Sequence, residues 1–378
     1  MRAEPFTTLL TGINNDVFSG IEDVEIWQLE LPALRREGQD IFDVTRALRS
    51  ALGEGYERTV SPNHVLVAAP VSDECPHGSP IQANAIPPFV PNAGVLNAAV
   101  AVIDSGYQWD KNWTANPLDA MCQQLEVKPG MHPTPGGWVN DDDDVPSVAG
   151  VYLDALSGHA NFVAGLIAQR IAQPNITIWN HNGSFAAGPG HSLPTEAAVC
   201  RSLLDSQSNA LTKVTYVGFA FATLDDHVSN LWDIPFKSSI DGIGHPVVAP
   251  AGNQGSANKR YPAALNAKYP GQYPNVFGVG SLDDTAGHAI STFSNRGDWV
   301  ACSTVGENVF STFLDIDMPP EEEPTKGPHD FASNSWAVWN GTSFSAPKLA
   351  AALVDQDFER LVDGLVPDPL AGYTLPDL

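Results

Sequence analysis

An α/β fold, a parallel sheet with helices on both faces preceded by a small α+β N-terminal module, is predicted by three observations. From about residue 95 onward, short apolar strands alternate with helical stretches, the pattern of a parallel sheet covered on both sides. The 378 residues exceed what one core usually organises, so one large domain and a smaller unit are expected. Hydrophobic residues make up 43% of the chain, enough to pack such a core.

Taken in order, residues 24 to 31, VEIWQLEL, alternate apolar and polar like a half-buried strand. From Asp40, DIFDVTRALRSAL places apolar residues at helical spacing, and NHVLVAAP from Asn63 reads as a further strand. These elements make residues 1–74 a small α+β module. CPHGSPIQANAIPPFVPNAG from Cys75 is dense in Pro and Gly, which predicts an extended linker without regular structure over residues 75–94. Residues 95–378 form the main domain, with strands NAAVAVID, VTYVGFAF, HPVVAPAG and NVFGVG between helices such as HANFVAGLIAQRIA and TEAAVCRSLLDSQ. NDDDDVPSVAG from Asn140 and DMPPEEEPTKGPHD from Asp317 are acidic and carry proline, as surface insertions do.

The chain holds 44 acidic against 19 basic residues, a formal charge of -25. That field repels phosphate backbones and anionic membrane surfaces, so neither nucleic acid nor membrane is expected as a partner. No segment approaches the roughly 18 apolar residues of a membrane span. The opening MRAEPFTTLLTGINND lacks the run of about 7 to 15 apolar residues of a secretory signal, and a cytoplasmic protein is the expectation. Cys75, Cys122, Cys200 and Cys302 lie far apart without zinc-ligand spacing, and they read as mostly reduced core residues.

Four segments carry candidate chemistry. AVAVIDSG closes a buried strand with Asp104, at the carboxyl end where open α/β sheets build their sites; the same place suits a turn or cap residue. SGHANFVAG sets His159 at the start of an apolar helix, where it either faces a cleft or is merely structural. NGTSFSAPKLAAALV puts Ser343 in the first turn of another helix, with Pro347 soon after. The helix N-terminus offers free N–H groups and positive potential to a developing oxyanion, although a Ser or Thr cap is common at such a place. HPVVAPAGNQG mounts Asn253 on a Gly-flanked turn after a strand. Each segment alone has a structural explanation; the four together, in one α/β domain, are a specific signal.

In these blocks the chain resembles the subtilisin family of serine peptidases, with VIDSG, SGHANFVAG, PAGN and GTSFSAP as the matching text. Similarity extends through RYPAALNAKYPGQYPNVFGVGSLD and STFSNRGDWVACSTVGENVFST, so that it covers about residues 95 to 360. The resemblance implies a subtilisin-like fold and a serine endopeptidase with Asp104, His159 and Ser343 as its triad. By the same resemblance, the Asn253 amide and the Ser343 backbone N–H form the oxyanion hole, and the partner is a peptide or protein substrate. No cofactor is required. Bound calcium is common in the family, but Asp141 to Asp144 lack a defined ligand spacing, so no metal site is assigned. Two departures stand out. Ala160-Asn161-Phe162 follows His159 where the family usually has Gly-Thr-His, and VTYVGFAFA stands where a Ser-Leu-Gly segment usually pairs with substrate. Gly218, Phe219 and Ala220 take those substrate-binding positions.

The N-terminal module resembles the prosegments that precede many such domains; a permanent accessory domain is the rival. Two further readings of the whole chain are open to test. A sedolisin-like peptidase uses carboxylates as its base and favours acid pH, and a pseudopeptidase binds peptides without labelling at Ser343. Neither P1 preference nor oligomeric state is legible.

Overall fold

The computed structural model describes residues 10–12, 27–29, 40–64, 77–83, 99–104, 125–127, 158–171, 175–180, 185–188, 191–193, 195–206, 210–237, 244–313, 317–318, 329–330 and 336–378. In chain order, the strands that position the site are β1 (His77–Gln82), β2 (Ala99–Asp104), β3 (Leu125–Val127), β4 (Asn175–Asn180), β5 (Thr212–Val217) and β6 (Val247–Pro250). They are followed by β7 (Val276–Leu282), β8 (Cys302–Val305), β9 (Val309–Thr312), β10 (Trp336–Asn340) and β11 (Tyr373–Thr374). Among the helices are α1 (Ile41–Leu52), α2 (His159–Ala168), α3 (Glu196–Ser206), α4 (Asp233–Lys237) and α5 (Thr342–Ala352).

Eight strands form one sheet in the order β11-β8-β7-β6-β5-β2-β4-β3, every pair parallel. Burial on both faces explains the apolar strands seen in the sequence. Along β2, Val100 and Val102 enter the core cluster that holds α2 and α5, while Ala101 and Ile103 enter the cluster under α3. The same period-two division places Val248 on one side of β6 and Val247 and Ala249 on the other. After β2 the chain crosses to β3 and β4 on one side and then to β5 through β8 on the other. Asp104 therefore ends a strand where the strand order reverses, the place at which open α/β sheets form a crevice.

A second, antiparallel sheet runs β9-β10-β1. Its edge strand β1 lies in the segment expected to lack regular structure. Pro80 has no N–H to give to a ladder, which an edge strand, paired on one side, tolerates. The acidic insertion from Asp317 closes on a short antiparallel pair, Asp317 with Asp330 and Met318 with His329; the run Asp141 to Asp144 lies outside the described residues. So do Val65 to Pro70 of the strand expected from Asn63, while Asn63 and His64 are described without regular structure.

Helix α1 forms where the sequence places it. Asp40 caps it, accepting from the Asp43 amide at 2.9 Å while the Asp43 carboxylate accepts from the Asp40 amide at 3.3 Å, a reciprocal capping box. The chain then runs along the α3 and α4 face. The Arg58 guanidinium donates to Asp233 at 2.8 Å and to the Tyr273 hydroxyl at 2.6 Å, and lies 4.4 Å over the Tyr269 ring. Asn63 Oδ1 accepts from the Ala197 amide at 3.0 Å and the His64 carbonyl from the Glu196 amide at 2.8 Å, so these two residues satisfy orphan donors at the start of α3. His64 Nε2 accepts from the Leu224 amide at 3.2 Å. That assignment leaves Nδ1–H to donate to the buried Glu196 carboxylate at 2.8 Å, which also accepts from Trp232 Nε1 at 2.7 Å.

Candidate active site

Asp104 ends β2 fully buried, and its Oδ1 lies 2.7 Å from Nδ1 of His159, the first residue of α2. An ionised carboxylate only accepts, so Nδ1 carries the proton and the ring presents Nε2 as an acceptor. Among the described residues Nε2 has no hydrogen-bond partner. The imidazole is thus fixed in the tautomer that receives a proton.

Two glycines make this pairing sterically feasible. Gly158 sits before the helix at φ 74°, and a Cβ there would strike the Phe313 ring. Gly218, the residue after β5, packs against the Asp104 carboxylate so closely that a Cβ would collide with Oδ2. Further along α2, Gly165 lets the helix close onto β9, where Ser311 donates to the Phe162 carbonyl at 2.7 Å and Thr312 to the Asn161 carbonyl at 3.0 Å. Asn161 and Phe162, which depart from the family pattern, are both buried, and Phe162 packs on Phe344 and Trp339 with ring centroids 4.4 and 5.8 Å apart.

Ser343 lies buried in the first turn of α5. Its neighbour Phe344 places its ring centroid 5.4 Å from that of His159, with Trp339 at 6.1 Å, so apolar rings wall the imidazole. Pro347 stands inside the helix and has no N–H for the carbonyl four residues back, which is that of Ser343. The hydroxyl of Tyr216 takes up that carbonyl, donating at 3.1 Å.

Asn253 follows β6, 2% exposed. Its Oδ1 accepts from the Thr342 amide at 2.9 Å and the Thr342 hydroxyl at 2.8 Å, and the Gly252 amide donates to the same hydroxyl oxygen at 3.0 Å. With Oδ1 committed to both donors of Thr342, the orientation of the carboxamide is fixed.

The structure therefore joins Asp104 to His159 directly and Asn253 to the residue before Ser343. Of the expected substrate-binding residues, Gly218 lies against Asp104, Phe219 is fully buried in the core under α3, and Ala220 is half-buried. Sequence reasoning did not single out Thr342, Tyr216, Trp339 or Phe344. A buried Tyr on the strand ahead of Gly218 was legible as a residue, but its partner comes from a distant helix. Cys200 and Cys302 are free and buried, with thiol pKa values pushed up by burial, as core residues; Cys75 and Cys122 lie outside the described residues. Among the described residues no group of three or more His, Cys, Asp or Glu is placed to hold a metal ion, and no helix is long and apolar enough to cross a membrane.

Residues 219–361 match the family model of the Subtilase family. Over 271 residues the chain is 25% identical to Subtilisin amylosacchariticus of Bacillus subtilis subsp. amylosacchariticus and to Subtilisin J of Geobacillus stearothermophilus. Each alignment takes in 68% of this chain and 54% of the relative, so the chain spans about half the length of the curated relatives it matches. Among solved structures, a lanthipeptide protease is similar at 19% identity and a TM-score of 0.47, covering 70% of this chain and 73% of that one. The prenylagaramide maturation protease PagA is similar at 19% identity and a TM-score of 0.46, covering 75% and 84%.

Proposed function

We propose that this subtilase-family chain is a serine endopeptidase that hydrolyses peptide bonds with Asp104, His159 and Ser343 as its triad. The observation that carries the reading is the buried 2.7 Å pairing of His159 Nδ1 with Asp104. It leaves Nε2 as the acceptor, on a ring whose centroid lies 5.4 Å from that of Phe344, the residue after Ser343. In the proposed cycle His159 removes the Ser343 proton as the hydroxyl attacks the scissile carbonyl, and returns it to the leaving amine. Asp104 holds the tautomer and stabilises the imidazolium. The Asn253 amide and the Ser343 N–H bind the oxyanion, and water, activated by the same imidazole, releases the acyl group. These steps use side chains, one backbone N–H and water. The substrate is a peptide or protein, and burial of the catalytic side chains strengthens each charge interaction by excluding water.

Labelling with a fluorophosphonate probe, read at Ser343 by peptide mass mapping, tests the nucleophile. Wild type is expected to label and to turn over a peptide library, while Ser343→Ala folds with the same melting temperature and does neither. A folded Ser343→Ala variant that still cleaves peptides refutes the assignment. A purely acid pH optimum would favour a carboxylate base over His159.

A further inference from the structure

The proposed chemistry leaves unused a buried ammonium on the helix that carries Ser343. Lys348 of α5 is 6% exposed. Neither an ion-pair nor a hydrogen-bond partner for its Nζ occurs among the described residues. Burying a charge without a partner is costly, and the cost is visible: burial, followed by the nearby charge of Arg170, pushes the Lys348 pKa down to about 7. In a chain with 44 acidic and 19 basic residues, two neighbouring cations that form no ion pair among the described residues are unusual.

The two line one cavity of about 540 Å³, with Gln169, Glu307, Asn308 and Phe310 also in its wall. Arg170 follows α2 at the rim, where its guanidinium donates to the Leu166 carbonyl at 3.3 Å and makes no ion pair among the described residues. Asp284, also in the wall, is held by Asn308 Nδ2 at 2.9 Å. A single small oxyanion relieves the repulsion between the cations, gives the Lys348 ammonium an acceptor and gives the Arg170 guanidinium a charged one. The carboxylates of Glu307 and Asp284 disfavour a larger polyanion.

We propose that this cavity binds a small oxyanion, a phosphate or carboxylate group, between Lys348 and Arg170. Because α2 begins with His159 and α5 carries Ser343 in its first turn, an anion held there ties together the two helices that carry the proposed base and nucleophile.

Thermal melting of the full chain at fixed ionic strength, with inorganic phosphate or acetate replacing chloride, tests this. A saturable rise in melting temperature is expected with at least one anion, following the mass-action form for a ligand that binds only the folded state. A rise with phosphate alone identifies a phosphate site, and a rise with acetate alone a carboxylate site. Lys348→Gln and Arg170→Gln are each expected to weaken the apparent affinity about tenfold or more, the usual loss of a charge-assisted hydrogen bond. Arg170 is exposed, so its variant reports on binding even if Lys348→Gln folds poorly. The proposal fails if neither anion gives a saturable rise, or if Arg170→Gln responds as wild type does.

Discussion

At Asn253 the carboxamide oxygen accepts from both the amide and the hydroxyl of Thr342, so turning the group over would break two buried hydrogen bonds. Thr342 has no chemistry of its own in the proposed cycle; it selects which end of Asn253 faces the reaction. Replacing Asn253 by Ala is expected to lower kcat by about 10² to 10³, the loss usual for one oxyanion donor, with KM little changed. Thr342→Val keeps the donor but loosens it, and a smaller fall in kcat is expected; steady-state kinetics on one peptide compares the two. A Thr342→Val loss equal to that of Asn253→Ala would mean that Thr342 does more than orient. Acid stability belongs to the same scale. Burial pushes the pKa of His245 down to about 4, where its Nε2 lies 2.8 Å from the Thr215 hydroxyl. The unfolded chain takes up this proton near pH 6.5. Between those values it binds more protons than the fold does, so stability falls as pH falls from about 6.5 through 4. His245→Gln is expected to flatten that part of the melting-temperature profile, and an unchanged profile would show that His245 is not the responsible group.

At the scale of elements, the strands and helices around the site were legible because burial on two faces leaves continuous apolar runs, and the caps leave Asp40 or Gly before a helix. The helix from His159 and the helix after Gly341 lie where the apolar pattern put them. What escaped was pairing between distant segments. His77–Gln82 is a strand because Trp336–Asn340 offers it a partner, which Pro80 and Gly78 conceal. VTYVGFAF read as one strand, yet the ladder ends at Val217 and Phe219 turns into the core. The Asp, His, Asn and Ser blocks were legible as local text, whereas Tyr216 was not, because its role follows from Pro347 in another element. Tyr216→Phe leaves the buried Ser343 carbonyl without that donor and is expected to destabilise the chain by about 1–3 kcal/mol. Restoring an N–H with Pro347→Ala in the same chain should recover part of the loss. Denaturant unfolding of the two single variants and the double variant measures the coupling, and strict additivity would refute this link.

At the scale of the whole molecule, the question is whether residues 1–94, ahead of β2, can leave. Residues 40–64 do more than lie on the surface. Asn63 and His64 cap α3, and His64 supplies a donor to the Glu196 carboxylate, which is fully buried. Arg58 is held between Asp233, Tyr273 and Tyr269, and Arg46 forms an ion pair with Asp225 at 2.9 Å. The exposed Arg46 pair contributes little. Removing His64, by contrast, strips a partner from a buried carboxylate and bares the start of α3, a loss of the kind that costs several kcal/mol. A segment built to be released would be expected to place its contacts where water can replace them. A chain beginning at residue 95 is therefore expected to melt well below the full chain or to fail to fold, and a fragment of residues 1–94 added in trans should bind it and raise its melting temperature. His64→Ala in the full chain should reproduce much of the loss, which separates the buried pair from the rest of the segment. If the shortened chain instead melts as the full chain does and cleaves peptides faster, residues 1–94 act as a removable inhibitor, and the contacts of His64 and Arg58 hold it in place only until it is cut.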